Sequence, residues 1–179
     1  MDENEYLNYK IQRCLKLKED MTQYKSLSIG DVPKGGGTPD EYYVIEKKGE
    51  VYWVLKAYHR GWGFAENTIW NNYVAIGFSD FFYLIDLENN KIVSIDFNGE
   101  YFGHLYTSND YIWISSMCDL LCINMQGQIV WRLDDIAVDG ICIHDLEGKY
   151  LEIDCELDPP GGWVSYIVDN TKGVIVNSL

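Results

Sequence analysis

Long hydrophobic runs are missing from this chain of 179 residues. A membrane-spanning helix requires about 20 consecutive apolar residues, and no segment of the sequence approaches that length. The N-terminal segment Met1-Asp-Glu-Asn-Glu5 lacks the basic and apolar regions of a signal peptide. We therefore expect a cytoplasmic protein with no membrane partner.

Basic residues are scarce over most of the chain. Residues 61–179 contain four lysines and arginines against eighteen aspartates and glutamates. Residues 1–60 contain ten of each sign, so the whole net charge of −14 lies in the last two-thirds of the sequence. Because nucleic acids are bound through clusters of lysine and arginine, this distribution predicts no nucleic-acid partner. It favours a basic protein partner, which such a surface would attract.

Metal-binding and catalytic motifs are also lacking. The three histidines and five cysteines do not form a closed set of ligands with the spacing of a zinc site. Asp134, Asp135 and Asp139 do not follow the calcium-loop pattern and are interpreted as solvated. The Gly-x-Ser-x-Gly motif of a serine nucleophile is absent as well. We expect no metal and no cofactor, and the sequence contains no group of residues that indicates an enzyme.

The first forty residues differ from the remainder. Residues 4–25 carry the only helical pattern, an apolar stripe made of Leu7, Ile11, Cys14, Leu15 and Met21. Three successive glycines and two prolines between positions 29 and 40 then interrupt all regular structure. The sequence therefore predicts a unit over residues 1–40, which consists of a short N-terminal helix and a glycine-rich hinge.

From residue 41 to residue 179 the apolar pattern has period two and turns are frequent, which predicts an all-β body. The segment from Tyr73 to Val93 aligns with that from Tyr111 to Val130 at an offset of 37 to 38 residues, and a looser third copy opens at Ile141. A repeat of about 38 residues with three or four strands is typical of a propeller blade. We predict blade-like, propeller-like antiparallel sheets in an open or irregular assembly, with a β-sandwich as the alternative.

Residues 149–158 supply most of the candidate binding site. Glu152, Asp154 and Glu156 alternate with apolar residues at 151, 153, 155 and 157, so they share one face of a strand. Asp158 then opens a turn, Asp158-Pro-Pro-Gly-Gly-Trp163, whose prolines and glycines present Trp163 as a candidate aromatic anchor. Such acids can be a solvated face that protects an edge strand. The functional interpretation is a contact face for cationic side chains.

Three motifs carry a resemblance to a known group of proteins. Phe102-Gly-His-Leu-Tyr106, Asp139-Gly-Ile141 and Asp158-Pro-Pro-Gly-Gly-Trp163 resemble those of an uncharacterised family of small bacterial all-β proteins, over roughly residues 70–175. The resemblance implies a bacterial origin and an all-β fold, and it supplies no activity. In size and acidity, though not in motif, the chain is also similar to immunity proteins that neutralise basic toxins.

These observations favour a non-catalytic acidic binding protein, specifically an immunity-type inhibitor of a basic bacterial toxin. The alternative is a carbohydrate-binding protein or a hydrolase that acts at an aromatic and acidic cleft. Tyrosine, tryptophan and carboxylates would form such a cleft, but eighteen acids in 119 residues make some suitable pair inevitable.

Overall fold

The computed structural model describes residues 9–146 and 148–178, and it shows four sheets of four strands each. We number these sheets blades 1 to 4 in the order of the chain. Blade 1 consists of β1 (Tyr9–Cys14), β2 (Ser26–Gly30), β3 (Glu41–Lys47) and β4 (Glu50–Tyr58). Blade 2 consists of β5 (Ala65–Trp70), β6 (Tyr73–Phe78), β7 (Phe81–Asp86) and β8 (Ile92–Asp96).

The other two sheets follow directly in the chain. Blade 3 consists of β9 (Phe102–Thr107), β10 (Tyr111–Ser116), β11 (Leu120–Asn124) and β12 (Ile129–Leu133). Blade 4 consists of β13 (Ile141–Asp145), β14 (Tyr150–Asp158), β15 (Gly162–Asp169) and β16 (Val174–Ser178). In the described part of the chain, no helix is long and apolar enough to cross a membrane.

Blades 2, 3 and 4 are antiparallel sheets in which the strand order follows the chain order. The first strands of successive blades contact one another, from β1 through β5 and β9 to β13. This arrangement confirms the prediction of blade-like antiparallel sheets. The β-sandwich alternative is wrong, because four sheets pack in series, each against the next, instead of two sheets enclosing one core.

The predicted N-terminal helix is wrong wherever the structure describes it. Residues 9–14 form β1, which pairs antiparallel with β3, and residues 26–30 form β2, which pairs parallel with β4. Only a short 3-10 helix, Glu19–Gln23, lies between them, and residues 4–8 lie outside the described chain. Pairing with β3 satisfies the backbone groups of β1 and places Tyr9 in the core, so tertiary context overrides the helical pattern. The glycine-rich segment is a loop between β2 and β3.

The third copy of the sequence repeat begins one strand later than its pattern predicts. Tyr73 and Tyr111 open β6 and β10, which are the second strands of their blades. Ile141 opens β13, which is a first strand, and the counterpart of β6 and β10 in blade 4 is β14. The similar spacing of apolar residues in β13 and β14 explains the shift, because both strands alternate with period two.

Three clusters of buried apolar side chains hold the blades together, one between each pair of successive blades. The fit is close: a Cβ added at Gly77 in blade 2 would lie 2.0 Å from the ring of Phe102 in blade 3. Polar contacts reinforce the packing, since Trp70 Nε1 donates to the carbonyl of Ser108 at 2.6 Å. Among the described residues no such cluster joins blade 4 to blade 1, so the blades form an open arc.

Candidate functional site

One face of blade 4 forms the end of the arc. Leu151, Ile153 and Cys155 of β14 are fully buried in the core shared with blade 3. Because side chains alternate along a strand, Glu152 and Asp154 lie on the opposite face of the sheet. The residues next to them are fixed by the pairing of β13, β14 and β15. We define the terminal face as Cys142, Glu152, Asp154, Ser165 and Ile167.

The terminal face is polar, whereas the corresponding faces of blades 2 and 3 are apolar. Its central cross-strand pairs are Glu152 with Ile167 and Asp154 with Ser165. The equivalent pairs are Ala75–Leu84 and Gly77–Phe82 in blade 2, and Trp113–Cys122 and Ser115–Leu120 in blade 3. All eight of those residues are buried, and most lie in the cores against the following blade. The surface that receives the next blade elsewhere in the arc is therefore open and acidic in blade 4.

The two central carboxylates of the terminal face have different surroundings. Glu152 is exposed, and no ion pair within the described chain involves it. Asp154 accepts a hydrogen bond from the Ser165 hydroxyl at 2.5 Å and lies 2.7 Å from Nε2 of His144. The Ser165 hydrogen bond, and after it His144, hold the pKa of Asp154 below its ordinary value, although partial burial opposes them. Asp154 therefore carries a negative charge at neutral pH.

Glu156 is not exposed as the sequence predicts, although its pairing with Trp163 keeps it in register with Glu152 and Asp154. Glu156 is only 9% exposed, and its carboxylate accepts a hydrogen bond from the backbone N–H of Gly161 in the following turn. The register of β14 with β15 shifts between Glu156 and Asp158. This bulge turns Leu157, which the alternation places inside, to 39% exposure. Glu156 holds the turn, and Asp158 is exposed at its start.

Trp163 follows the same turn and lines a cleft of about 270 Å³ that involves blades 2, 3 and 4. We call it the aromatic cleft, and its lining residues are Phe64, Tyr101, Gly103, His104, Ser116, Asp139, Gly140, Ile141, Cys142 and Trp163. Trp163 is the one predicted site residue among them, and Cys142 belongs to the terminal face as well. The cleft is thus next to the acidic strand face and shares its border.

The aromatic rings of the cleft converge on a small space. The ring centroid of Phe64 lies 5.7 Å from that of Tyr101, with an angle of 64° between the planes, and 5.4 Å from that of His104. A Cβ added at Gly140 would lie 3.5 Å from Cη2 of Trp163 and 4.0 Å from the hydroxyl oxygen of Tyr101. Gly140 has a φ of +138° and no side chain, so it leaves space beside the Trp163 ring and the Tyr101 hydroxyl.

Hydrogen bonds fix the polar groups around the rings. The Tyr101 hydroxyl donates to Oδ1 of Asp139 at 2.6 Å, so Asp139 is not simply solvated as its sequence context suggests. Burial, followed by this bond to Asp139, raises the pKa of Tyr101. On the other side of the cleft, Nδ1 of His104 lies 2.6 Å from Glu66.

Sequence reasoning missed Phe64, Tyr101 and His104. One signal was available, because Tyr101 and Asp139 are separated by 38 residues, as are Glu66 and His104. Residues one repeat apart occupy equivalent positions in neighbouring blades, where they can meet across the gap between the blades.

A group of three carboxylates lies close to the cleft. Glu100, Asp119 and Asp135 offer oxygen atoms within 4.8 Å of one another. Asp119 is bound to Arg132, and Glu100 accepts the Ser116 hydroxyl at 2.9 Å. Bonds within the chain therefore account for much of this group. Burial, and after it Glu100 and other nearby acids, raise the pKa of the Cys118 thiol to about 11, in keeping with a strongly negative surrounding.

The cleft is better suited to binding than to nucleophilic catalysis. Burial and the nearby Asp154 raise the pKa of the Cys142 thiol, which therefore stays protonated at neutral pH. The hydroxyl of Ser116, which lines the cleft, donates to Glu100 and not to a histidine. Neither side chain has the activated state that a covalent mechanism requires.

Comparison with known proteins adds structural likeness only. No protein-family model matches the chain, and no curated protein matches it. BamB from Moraxella catarrhalis is similar at a TM-score of 0.49 and 18% identity, over 78% of this chain and 42% of that one. The Pan2 WD40 domain of Neurospora crassa is similar at a TM-score of 0.44 and 14% identity, over 79% and 47% of the two chains.

A third similar structure is the dihydro-heme d1 dehydrogenase NirN in complex with DHE, at a TM-score of 0.36 and 14% identity, over 79% of this chain and 42% of that one. This chain spans less than half the length of each of the three proteins. Its blades are defined by their own sheet order and cores.

Proposed function

We propose that this protein is a non-catalytic binding protein whose blade 4 takes up a basic protein partner. The most specific form of the proposal is an immunity-type inhibitor of a basic bacterial toxin, acting in the cytoplasm. The observation that carries it is the terminal face, where Glu152 and Asp154 replace the buried pairs by which blades 2 and 3 hold their neighbours.

Charge supports a basic partner over an acidic or neutral one. Fourteen net negative charges lie in residues 61–179, and the charged face of Glu152 and Asp154 is part of that region. Exposed charges steer an oppositely charged protein during diffusion and raise its association rate. Salt screens this attraction over about 8 Å at physiological ionic strength. Association should therefore slow as salt rises.

The size of the face indicates that the interface extends to Trp163. The terminal face lies on three strands, β13 to β15, and about five residues along them cover roughly 14 Å by 17 Å, given the spacing of strands and the rise per residue. A stable interface requires about 800 Å² on each partner, which is more than twice that area. The adjacent turn and the aromatic cleft provide the remainder, and Trp163, at 45% exposure, is the large apolar side chain at their junction.

A carbohydrate-binding protein is the second candidate, and the aromatic cleft is the observation that favours it. Rings such as Trp163 and Phe64, which are 45% and 54% exposed, can stack on the faces of sugars. The two candidates differ in what salt does: stacking on a neutral sugar is insensitive to ionic strength, whereas steering by carboxylates is not.

The experiment uses as the partner a basic protein recovered by pull-down with the whole chain. Binding kinetics are measured on the whole chain at 20 mM and 300 mM salt, with methyl glycosides as the competing ligand class. We expect association to slow at least fivefold at high salt, and Trp163→Ala to act mainly on dissociation, since a buried anchor is worth about 2 kcal/mol.

The double substitution Glu152→Gln with Asp154→Asn should slow association, whereas Glu50→Gln, an exposed acid of blade 1, should not. Association that ignores both salt and the double substitution would contradict a steering role for the terminal face. Binding of glycosides in place of the basic protein would favour the second candidate.

A further inference from the structure

The aromatic cleft and its hydrogen bonds define which chemical group it can accept. We propose that it holds one cationic side chain of the partner, an arginine or a lysine, against the rings of Trp163, Phe64 and Tyr101 with Asp139 as the counter-ion. This inference rests on the proposed function and specifies the part of the partner that the cleft recognises.

Most of the hydroxyl and imidazole groups of the cleft are already engaged. The Tyr101 hydroxyl donates to Asp139, and the Ser116 hydroxyl donates to Glu100. One oxygen of Glu66 accepts the backbone N–H of Leu105 at 2.8 Å, and its other oxygen lies 2.6 Å from Nδ1 of His104. What remains open to a ligand is mainly acceptors and ring faces, beside the indole N–H of Trp163 and the thiol of Cys142.

Acceptors together with ring faces fit a cation. A guanidinium or ammonium group has donors and no acceptors, and its charge is attracted to the negative face of an aromatic ring. A sugar hydroxyl, by contrast, both donates and accepts, and the cleft offers it few free donors, namely the indole N–H of Trp163 and the weak thiol donor of Cys142. An anion would meet Asp139 and the nearby carboxylates of Glu100 and Asp135.

The position and size of the cleft agree with one side chain. Its volume of about 270 Å³ lies below the 300 to 1,000 Å³ of pockets that enclose whole drug-sized ligands. Asp139 is exposed, so a cation can reach its carboxylate from solvent. Because Cys142 belongs to both surfaces, a partner docked on the terminal face would bring its side chains to the mouth of the cleft.

The test is a titration of the whole chain with Nα-acetyl-arginine methylamide, followed by NMR of the tryptophan indole groups. The citrulline analogue, which has the same shape without charge, and methyl glucoside are the matched ligands. We expect the arginine compound to shift the Trp163 signal and the citrulline compound to bind at least tenfold more weakly.

Two variants and one control show whether arginine binding depends on the residues of the cleft. Asp139→Asn keeps an acceptor for the Tyr101 hydroxyl but removes the charge, and it should weaken arginine binding at least fivefold without changing citrulline binding. Trp163→Leu should weaken it similarly, whereas Trp62→Leu, at a tryptophan 99% exposed and outside the cleft, should have no effect. Equal binding of arginine and citrulline, preferential binding of glucoside, or shifts confined to other tryptophans would overturn the inference.

The results separate this inference from the proposed function. Binding of the arginine compound without any binding of the basic protein would sustain the cleft inference and refute the proposed function. Salt-dependent binding of the basic protein that Asp139→Asn leaves unchanged would sustain the proposed function and refute the cleft inference.

Discussion

Reversing the charge of Glu152 tests the role of the terminal face. Glu152 is exposed and outside any ion pair of the described chain, so Glu152→Lys should leave the fold unchanged. Two unit charges 4 Å apart in water interact with about 1 kcal/mol. Replacing attraction by repulsion therefore changes the free energy of contact with a cationic group by about 2 kcal/mol, which is roughly 30-fold in affinity at low salt.

The assay measures binding of a peptide with four arginines by calorimetry at 10 mM and 150 mM salt. The Debye length falls from about 30 Å to about 8 Å between these conditions, so the effect of Glu152→Lys should shrink severalfold at the higher salt. Glu50→Lys changes the net charge equally at an exposed site in blade 1 and is the control. If both reversals weaken binding equally, the net charge and not the terminal face attracts the peptide. That result would refute attraction of cationic groups by the terminal face.

Further predictions concern stability, each measured by urea unfolding. The Ser165 hydrogen bond lowers the folded pKa of Asp154. The ionised carboxylate therefore contributes its full stabilisation to the folded state above the ordinary carboxyl pKa, and this stabilisation is lost as pH falls through the folded pKa. Asp154→Asn should therefore destabilise the protein at pH 6, and progressively less as pH falls below the ordinary carboxyl pKa. Glu156→Ala leaves a turn N–H without its acceptor and should cost about 1–3 kcal/mol, whereas Glu156→Gln should cost less. Gly77→Ala should cost about 1–3 kcal/mol through overpacking, and Gly35→Ala, with no neighbour within 4 Å, should be neutral. Equal effects within any of these pairs would contradict the corresponding contact.

Strands and turns after residue 41 can be predicted from the sequence because their signals are local. Alternation places Leu151 and Ile153 inside and Glu152 outside, as the structure does. The first strand of blade 1 cannot be predicted in this way. Tyr9–Cys14 becomes a strand because β3, some thirty residues later, pairs with it, and the sequence of the segment alone does not contain that information.

The candidate site was predictable only in part for the same reason. Glu152, Asp154 and Trp163 are near one another in the chain, and one strand and one turn bring them together. Phe64 and Tyr101 come from other blades, so their meeting with Trp163 depends on how the blades pack. The register shift after Glu156, which exposes Leu157, interrupts an otherwise regular alternation, and no pattern of period two reveals it.

Hydrogen exchange on the complex with the basic partner shows which part of the chain the partner covers. Bound partner should slow exchange in β14, β15 and residues 138–141, which border the aromatic cleft and the terminal face. Exchange in β2 and β4 of blade 1 should not change. Protection confined to blade 1, or spread evenly over all four blades, would contradict the claim that blade 4 is the binding surface.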